Sequence, residues 1–185
     1  MELIDFNGVT RTYKAPPQDH DPIRWLVSWT LKKFDGDFTG EQIDRLKPTP
    51  YEIIEGEGNL LVTNGANLLW TALTGGTPTF FSNANARIGV GDSSTAAAIG
   101  QTDLQAATNK TRVAMDSTYP TISNNTATWR ATFGSGVAEW GGGWQEWAIF
   151  NAASGGTSML NRVVANLGVK GASTTWQLTV TSSLA

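Results

Sequence analysis

The stretch "ATWRATF", residues 127–133, alternates without a break. Trp129, Ala131 and Phe133 fall on one side, and Thr128, Arg130 and Thr132 on the other. A period of two is the signature of a half-buried strand. The pattern returns in "TTWQLTVTSSL" (174–184) through Trp176, Leu178 and Val180, and "ARIGVGD" (86–92) sets Ile88 and Val90 on one face. "WQEWAIF" (144–150) is apolar on both faces, which suits a strand covered on both sides. Gly, Ser and Asn punctuate the intervals at "TISNNT", "GSG", "WGGGW", "NAASGGTS" and "KGAS". Short strands so spaced make the chain mainly β, an antiparallel β-sandwich or barrel-like body. Threonine on the outer faces fits, because a β-branched side chain tolerates a half-exposed pleat.

Two helices interrupt this pattern. In "GNLLVTNGANLLWTALTGG" (58–76), Leu60, Leu61, Asn64, Leu68 and Leu69 approximate helical spacing, and Gly75-Gly76 ends it. In "FDGDFTGEQIDRLKPTPY" (34–51), a short helix starts at Thr39, Gln42 completes a capping box, and Pro48 stops it. A third helix is expected from Asp21 as N-cap and Pro22 as first residue, with Ile23, Leu26, Val27, Thr30, Leu31 and Phe34 on one stripe.

Charge divides the chain. Residues 1–58 hold 7 Lys/Arg and 11 Asp/Glu, whereas residues 59–185 hold 6 and 5. The expected organisation is a partly helical N-terminal extension, 1–56, and a β-rich body, 57–185, with a weakly charged surface. So small an extension has too little core to fold alone, and its removal is expected to leave a folded body. A length of 185 residues suits one domain, and a net charge of −3 without a Lys/Arg cluster argues against nucleic acid. No segment approaches the roughly 20 apolar residues of a membrane span, and "MELIDFNGV" does not read as a secretory signal. A soluble protein made in a cytoplasm is expected. Zero cysteines remove disulfides and thiolate chemistry.

Chemical motifs fail on spacing. "RIGVGDSSTAAAIGQTDL" (87–104) has Ser94 where a dinucleotide loop needs its third glycine, and it lacks the Gly-Lys-Ser/Thr of a P-loop. It reads as a strand, a turn in which Asp92 bonds its own backbone, and a helix capped by Thr102. Asp19, His20 and Asp21 are adjacent, a poor arrangement for one metal ion, so no metal or cofactor is expected. Glu139 and Glu146 flank "WGGGW". With Trp140, Trp144 and Trp147 stacking on sugar rings they would suit a glycan site or a glycosidase pair. The structural reading is a hairpin tip, with Glu146 buried against Arg130 or Arg162. No catalytic residue is assigned.

Five segments in order, "GNLLVTNGANLLWTAL", "ARIGVGDSSTAAAIGQTDLQ", "ATWRATFGSG", "WQEWAIFNAASGGTSMLNRVV" and "KGASTTWQLTVTSSL", resemble small virion proteins of tailed bacteriophages and N-terminal parts of phage tail fibres. The resemblance covers residues 56–185. It implies a β-rich module that docks on other virion subunits and carries no catalytic residue. A chain stopping soon after its last strand, without a fibre shaft, favours a capsid decoration protein on the major capsid protein lattice. A tail or baseplate component is the alternative, and a glycan-binding adhesin ranks lower. Trp25, Trp29, Phe34, Trp140 and Trp144 are the candidate partner-binding residues. A homo-oligomer is expected, a trimer foremost, since hexagonal lattices present threefold positions.

Overall fold

The computed structural model describes residues 2–4, 10–12, 24–155 and 158–184. Among the described residues, twelve strands and two helices follow one another. A separate two-stranded sheet pairs β1 (Glu2–Ile4) with β2 (Thr10–Thr12). Sheet I contains β3 (Trp25–Asp35), β4 (Glu52–Glu57), β8 (Thr121–Ser123), β9 (Thr126–Phe133) and β12 (Thr174–Leu184), in the order β4-β3-β12-β9-β8. Sheet II contains β5 (Leu60–Leu61), β6 (Arg87–Gly91), β7 (Lys110–Ala114), β10 (Trp144–Phe150) and β11 (Met159–Gly168), in the order β5-β11-β10-β6-β7. Both five-stranded sheets are antiparallel throughout, so the body is a β-sandwich.

The alternation in "ATWRATF" orients β9: Trp129, Ala131 and Phe133 are buried, and the residues between them face outward. Register then stacks the inner rows of sheet I. Val180 lies between Trp29 and Trp129, and Leu178 between Leu31 and Ala131. Trp147 of sheet II meets Trp29 edge-on at 6.1 Å, and Trp144 meets both Phe133 and Trp176 at 4.7 Å. Such T-shaped pairs add roughly 0.5–1.5 kcal/mol each beyond their burial.

The segment expected to be the third helix is strand β3. Its buried residues Val27, Trp29 and Leu31 recur every second position, and all 11 of its residues pair with β12. Asp21 and Pro22, named as its start, lie outside the described residues, as do Asp19 and His20. With β4 on its other side, β3 is an interior strand. The expected division at residues 56/57 is therefore not a structural boundary between residues 24 and 184: the strands before it complete the sheet formed by the chain's end.

The first helix, α1 (Gly40–Leu46), forms as the sequence indicates. The Thr39 hydroxyl accepts from the Gln42 amide, and the Gln42 side chain accepts from the Thr39 amide. The second, α2 (Thr63–Leu73), ends before Gly75 and Gly76, while Leu60 and Leu61 belong to β5. The helix expected after Thr102 is absent, and 92–109 forms a long irregular loop. "WGGGW" is not a hairpin tip either. It lies on the crossover from β9 in sheet I to β10 in sheet II.

Gly65 lets α2 touch sheet II. A Cβ there would stand 2.1 Å from the Leu160 carbonyl oxygen, a backbone atom that cannot swing away. Helix propensity alone makes Gly→Ala stabilising by about 1 kcal/mol. Here overpacking wins, and Gly65→Ala is expected to destabilise the fold by about 1–3 kcal/mol, read as a lowered Tm.

Candidate docking surfaces

The structure disperses the five candidate residues. Trp29, Phe34 and Trp144 are buried in the protein's own interior, so none is free to enter a partner's pocket. Phe34 packs edge-on against Phe38 at 6.3 Å, and the Trp144 indole donates to the Ala138 carbonyl at 2.9 Å. Trp140 is half-buried and donates to the Gly143 carbonyl within its own bend. Phe34 forms a buried wall of a cleft beside α1, and Trp25, half-buried, lines a second, open cleft.

That cleft, about 490 Å³, lies at the end of sheet I where β3 begins. Trp25, Leu26, Val27, Ser28, Thr181 and Ser183 form most of its wall, with Glu57 and Gly58 at one side. The Trp25 indole donates to Asn59 Oδ1 at 3.1 Å, which fixes the ring plane. Leu26 and Leu184 are exposed nearby, paired with Ser183 and Trp25 across the strands. A fixed indole among exposed leucines is the chemistry of a hot-spot pocket.

The second surface rests on sheet II. Under it lies a fully buried ion pair: Arg162 Nε donates to Glu146 Oε2 at 2.6 Å. The Gln105 and Ala106 amides also donate to the Glu146 carboxylate, at 3.0 and 2.8 Å. Arg162 Nη1 reaches Gln101 Oε1 at 3.0 Å, and Nη2 reaches the Thr95 carbonyl at 2.8 Å. Every one of these bonds beyond the pair itself goes to the 92–109 loop. Of the two partners the sequence offers Glu146, the structure uses Arg162, whose strand β11 lies beside β10. Asp92, expected to bond its own turn, accepts from the Asn109 side chain at 2.7 Å and so closes the loop's base. Beneath the loop a small second core gathers Val62, Leu104, Ala148, Phe150 and Met159.

This loop carries α2. The Thr63 amide, at the first turn of α2, donates to the Ile99 carbonyl at 2.9 Å. The Asn64 side chain donates to the Met159 carbonyl of β11 at 3.2 Å. Only Gly65 of the helix is buried. Its later turns project outward: Trp70 is 64% exposed and Leu73 75%, with Leu69 and Ile99 also exposed. Leu69, Trp70 and Leu73 fall on one face at i, i+1 and i+4. No charged residue occurs from Gly58 to Ala86, nor from Ser93 to Thr102. Charge depletion around aromatic and aliphatic side chains marks the centre of protein interfaces. Sequence reading placed this helix but not its exposed apolar face, although the 29 uncharged positions from 58 to 86 were visible.

The remaining charged clusters brace the fold. Arg130 holds Asp44 of α1 through two bonds of 2.8 and 2.6 Å and Asp116 through one of 2.7 Å. The bonds from Arg130 hold the Asp44 carboxyl below its ordinary range. Burial pushes the Asp116 carboxyl up, against the pull of Thr132, Arg130 and Gln177. Glu139 accepts from the Gly136 amide and from Lys170, which lower its carboxyl. Glu146 has both oxygens occupied and no exposure, so the carboxylates flanking "WGGGW" do not face a common space open to a sugar. Among the described residues, no group of three His, Cys, Asp or Glu is placed to hold a metal ion, and no helix is long and apolar enough to cross a membrane. No family model, curated protein or solved structure matches this chain.

Proposed function

We propose that this chain is a non-enzymatic structural subunit of a tailed bacteriophage particle, a decoration protein that binds the assembled major capsid protein lattice and stabilises it. The observation that carries the reading is the presence of two separate apolar surfaces, the Trp25 cleft on sheet I and the α2 face on sheet II. A subunit that ties neighbours together needs two such faces, whereas a free-standing globule gains nothing by exposing either. The ordered segments that resemble small virion proteins support the same reading. The mechanism is linkage. A protein that binds the closed lattice and not its separated subunits stabilises that lattice in proportion to RT ln(1 + [L]/Kd).

The cleft is the shell-facing surface in this account, with Trp25 receiving an apolar side chain of the capsid protein. Trp25→Ala is expected to weaken binding by about 2 kcal/mol, close to 30-fold in Kd, while the protein still melts cooperatively. Co-sedimentation of purified protein with shells stripped of it measures this. An unchanged affinity for the shell removes the cleft from the account. Failure of the wild-type chain to bind shells, with binding to isolated tails instead, replaces the capsid reading by the tail one.

A further inference from the structure

The α2 face has no occupant among the described residues, and its physics selects one. From the unpaired helix face and the charge-free loop beside it, we infer that α2 is a self-association surface, on which a second copy of this chain packs its own α2 antiparallel about a twofold axis.

Three observations favour a second copy. First, no charged side chain stands at either end of the helix. Val62 at the N-cap makes no side-chain bond to the helix, no acid stands in the first turn, and no base stands in the last. An uncompensated helix carries about half a unit charge of opposite sign at each end. Neutral groups alone meet the ends, the Ile99 carbonyl at the first turn and the Thr74 hydroxyl at the last, and an antiparallel twin adds an opposite end-charge beside each. Second, the chain carries a net charge of −3, yet none of it lies in residues 58–86 or 93–102. Two identical copies therefore meet here without placing like charges against each other. A partner recognised by charge would find nothing to read. Third, the face presents an indole and leucines together. Leu69 and Trp70 begin the exposed apolar stripe and Leu73 follows one turn on, so antiparallel copies crossing at this stripe seat each indole against the other copy's leucines. A buried Trp alone accounts for roughly 150–250 Å². With Leu69, Leu73 and Ile99 the apolar centre is on the order of 500 Å² per copy, most of the ~800 Å² that a standard interface takes from each partner.

The buried Glu146–Arg162 pair gives this interface its rigidity, since it fixes the loop that presents Ile99 beside α2. Within the proposed function, a twofold unit carries two shell-facing clefts, and binding through both raises the effective affinity without any new contact. The pair stands as an alternative to the trimer expected from the sequence, and the experiment below distinguishes the two.

Sedimentation velocity of the full chain across a concentration series tests the inference. The wild type is expected to run as a dimer that dissociates on dilution, and Leu73→Glu to raise the dissociation constant by at least about 30-fold with an unchanged melting curve. Because the chain has no cysteine, Leu69→Cys near the twofold axis is expected to give disulfide-linked pairs on oxidation, which checks the geometry without removing Trp70 or Leu73. A wild-type monomer, a trimer, a dimer indifferent to Leu73→Glu, or no cross-link from Leu69→Cys overturns the inference. A monomer in solution leaves the virion assignment standing. Absence of the chain from purified particles removes that assignment and leaves the pairing standing.

Discussion

A chain lacking residues 1–50 is expected not to fold. The deletion removes β3, an interior strand bonded along all 11 residues to β12 and along six to β4. Val27, Trp29, Leu31 and Phe34 leave the core with it, and Trp29 leaves Trp147 without its edge-on neighbour. Loss of one large core side chain costs about 2–5 kcal/mol, and a whole domain is stable by only about 5–15 kcal/mol. Four such losses, with a bare edge on each side of the gap, exceed any margin the rest can supply. The truncated chain is expected in the insoluble fraction, without a cooperative melt by circular dichroism. A soluble, cooperatively melting product would restore the division at residues 56/57 and remove β3 from the sandwich.

The second large effect is expected at Glu146. Glu146→Gln leaves Arg162 as an uncompensated cation with no exposure, and it takes one acceptor from the Gln105 and Ala106 amides. Breaking a buried pair from one side costs about 3–5 kcal/mol, which at this chain length lowers Tm by about 10 °C. The double change Glu146→Met with Arg162→Leu is expected to cost less than the single one, because no charge remains buried. Amide exchange reads the local consequence: protection is lost first across residues 93–106, whose bonds to the pair hold the loop. A single variant as stable as the wild type would mean that the pair does not hold the loop.

Much of the sandwich was legible, for a local reason. Alternation in β9 and β12 and two-sided burial in β10 depend on one strand and the face it presents, and both survive in a short window of sequence. The Thr39–Gln42 cap is equally local. What failed was non-local. Val27 and Leu31 fit a helical stripe as well as a strand face, and the strand that settles the matter, β12, lies about 150 residues away in the numbering. Trp29 and Trp144 looked like interface anchors because aromatic residues serve cores and contacts alike. Their row partners across the sheets placed them inside. For Glu146, the need for a cation was readable from its neighbours in β10. The choice of Arg162 over Arg130 required knowing that β11 pairs with β10. The α2 face was visible in sequence through 29 uncharged positions around Leu69, Trp70 and Leu73, but the spacing of Leu60, Leu61, Asn64, Leu68 and Leu69 ran together residues of β5, of the packed side and of the exposed face.

The assignment as a subunit of the capsid surface is tested most directly by counting. Quantitative mass spectrometry of tail-free heads and isolated tails, purified from one preparation, is expected to find hundreds of copies of this chain in the heads and none in the tails. A handful of copies confined to the tails, or none in either fraction, would contradict it.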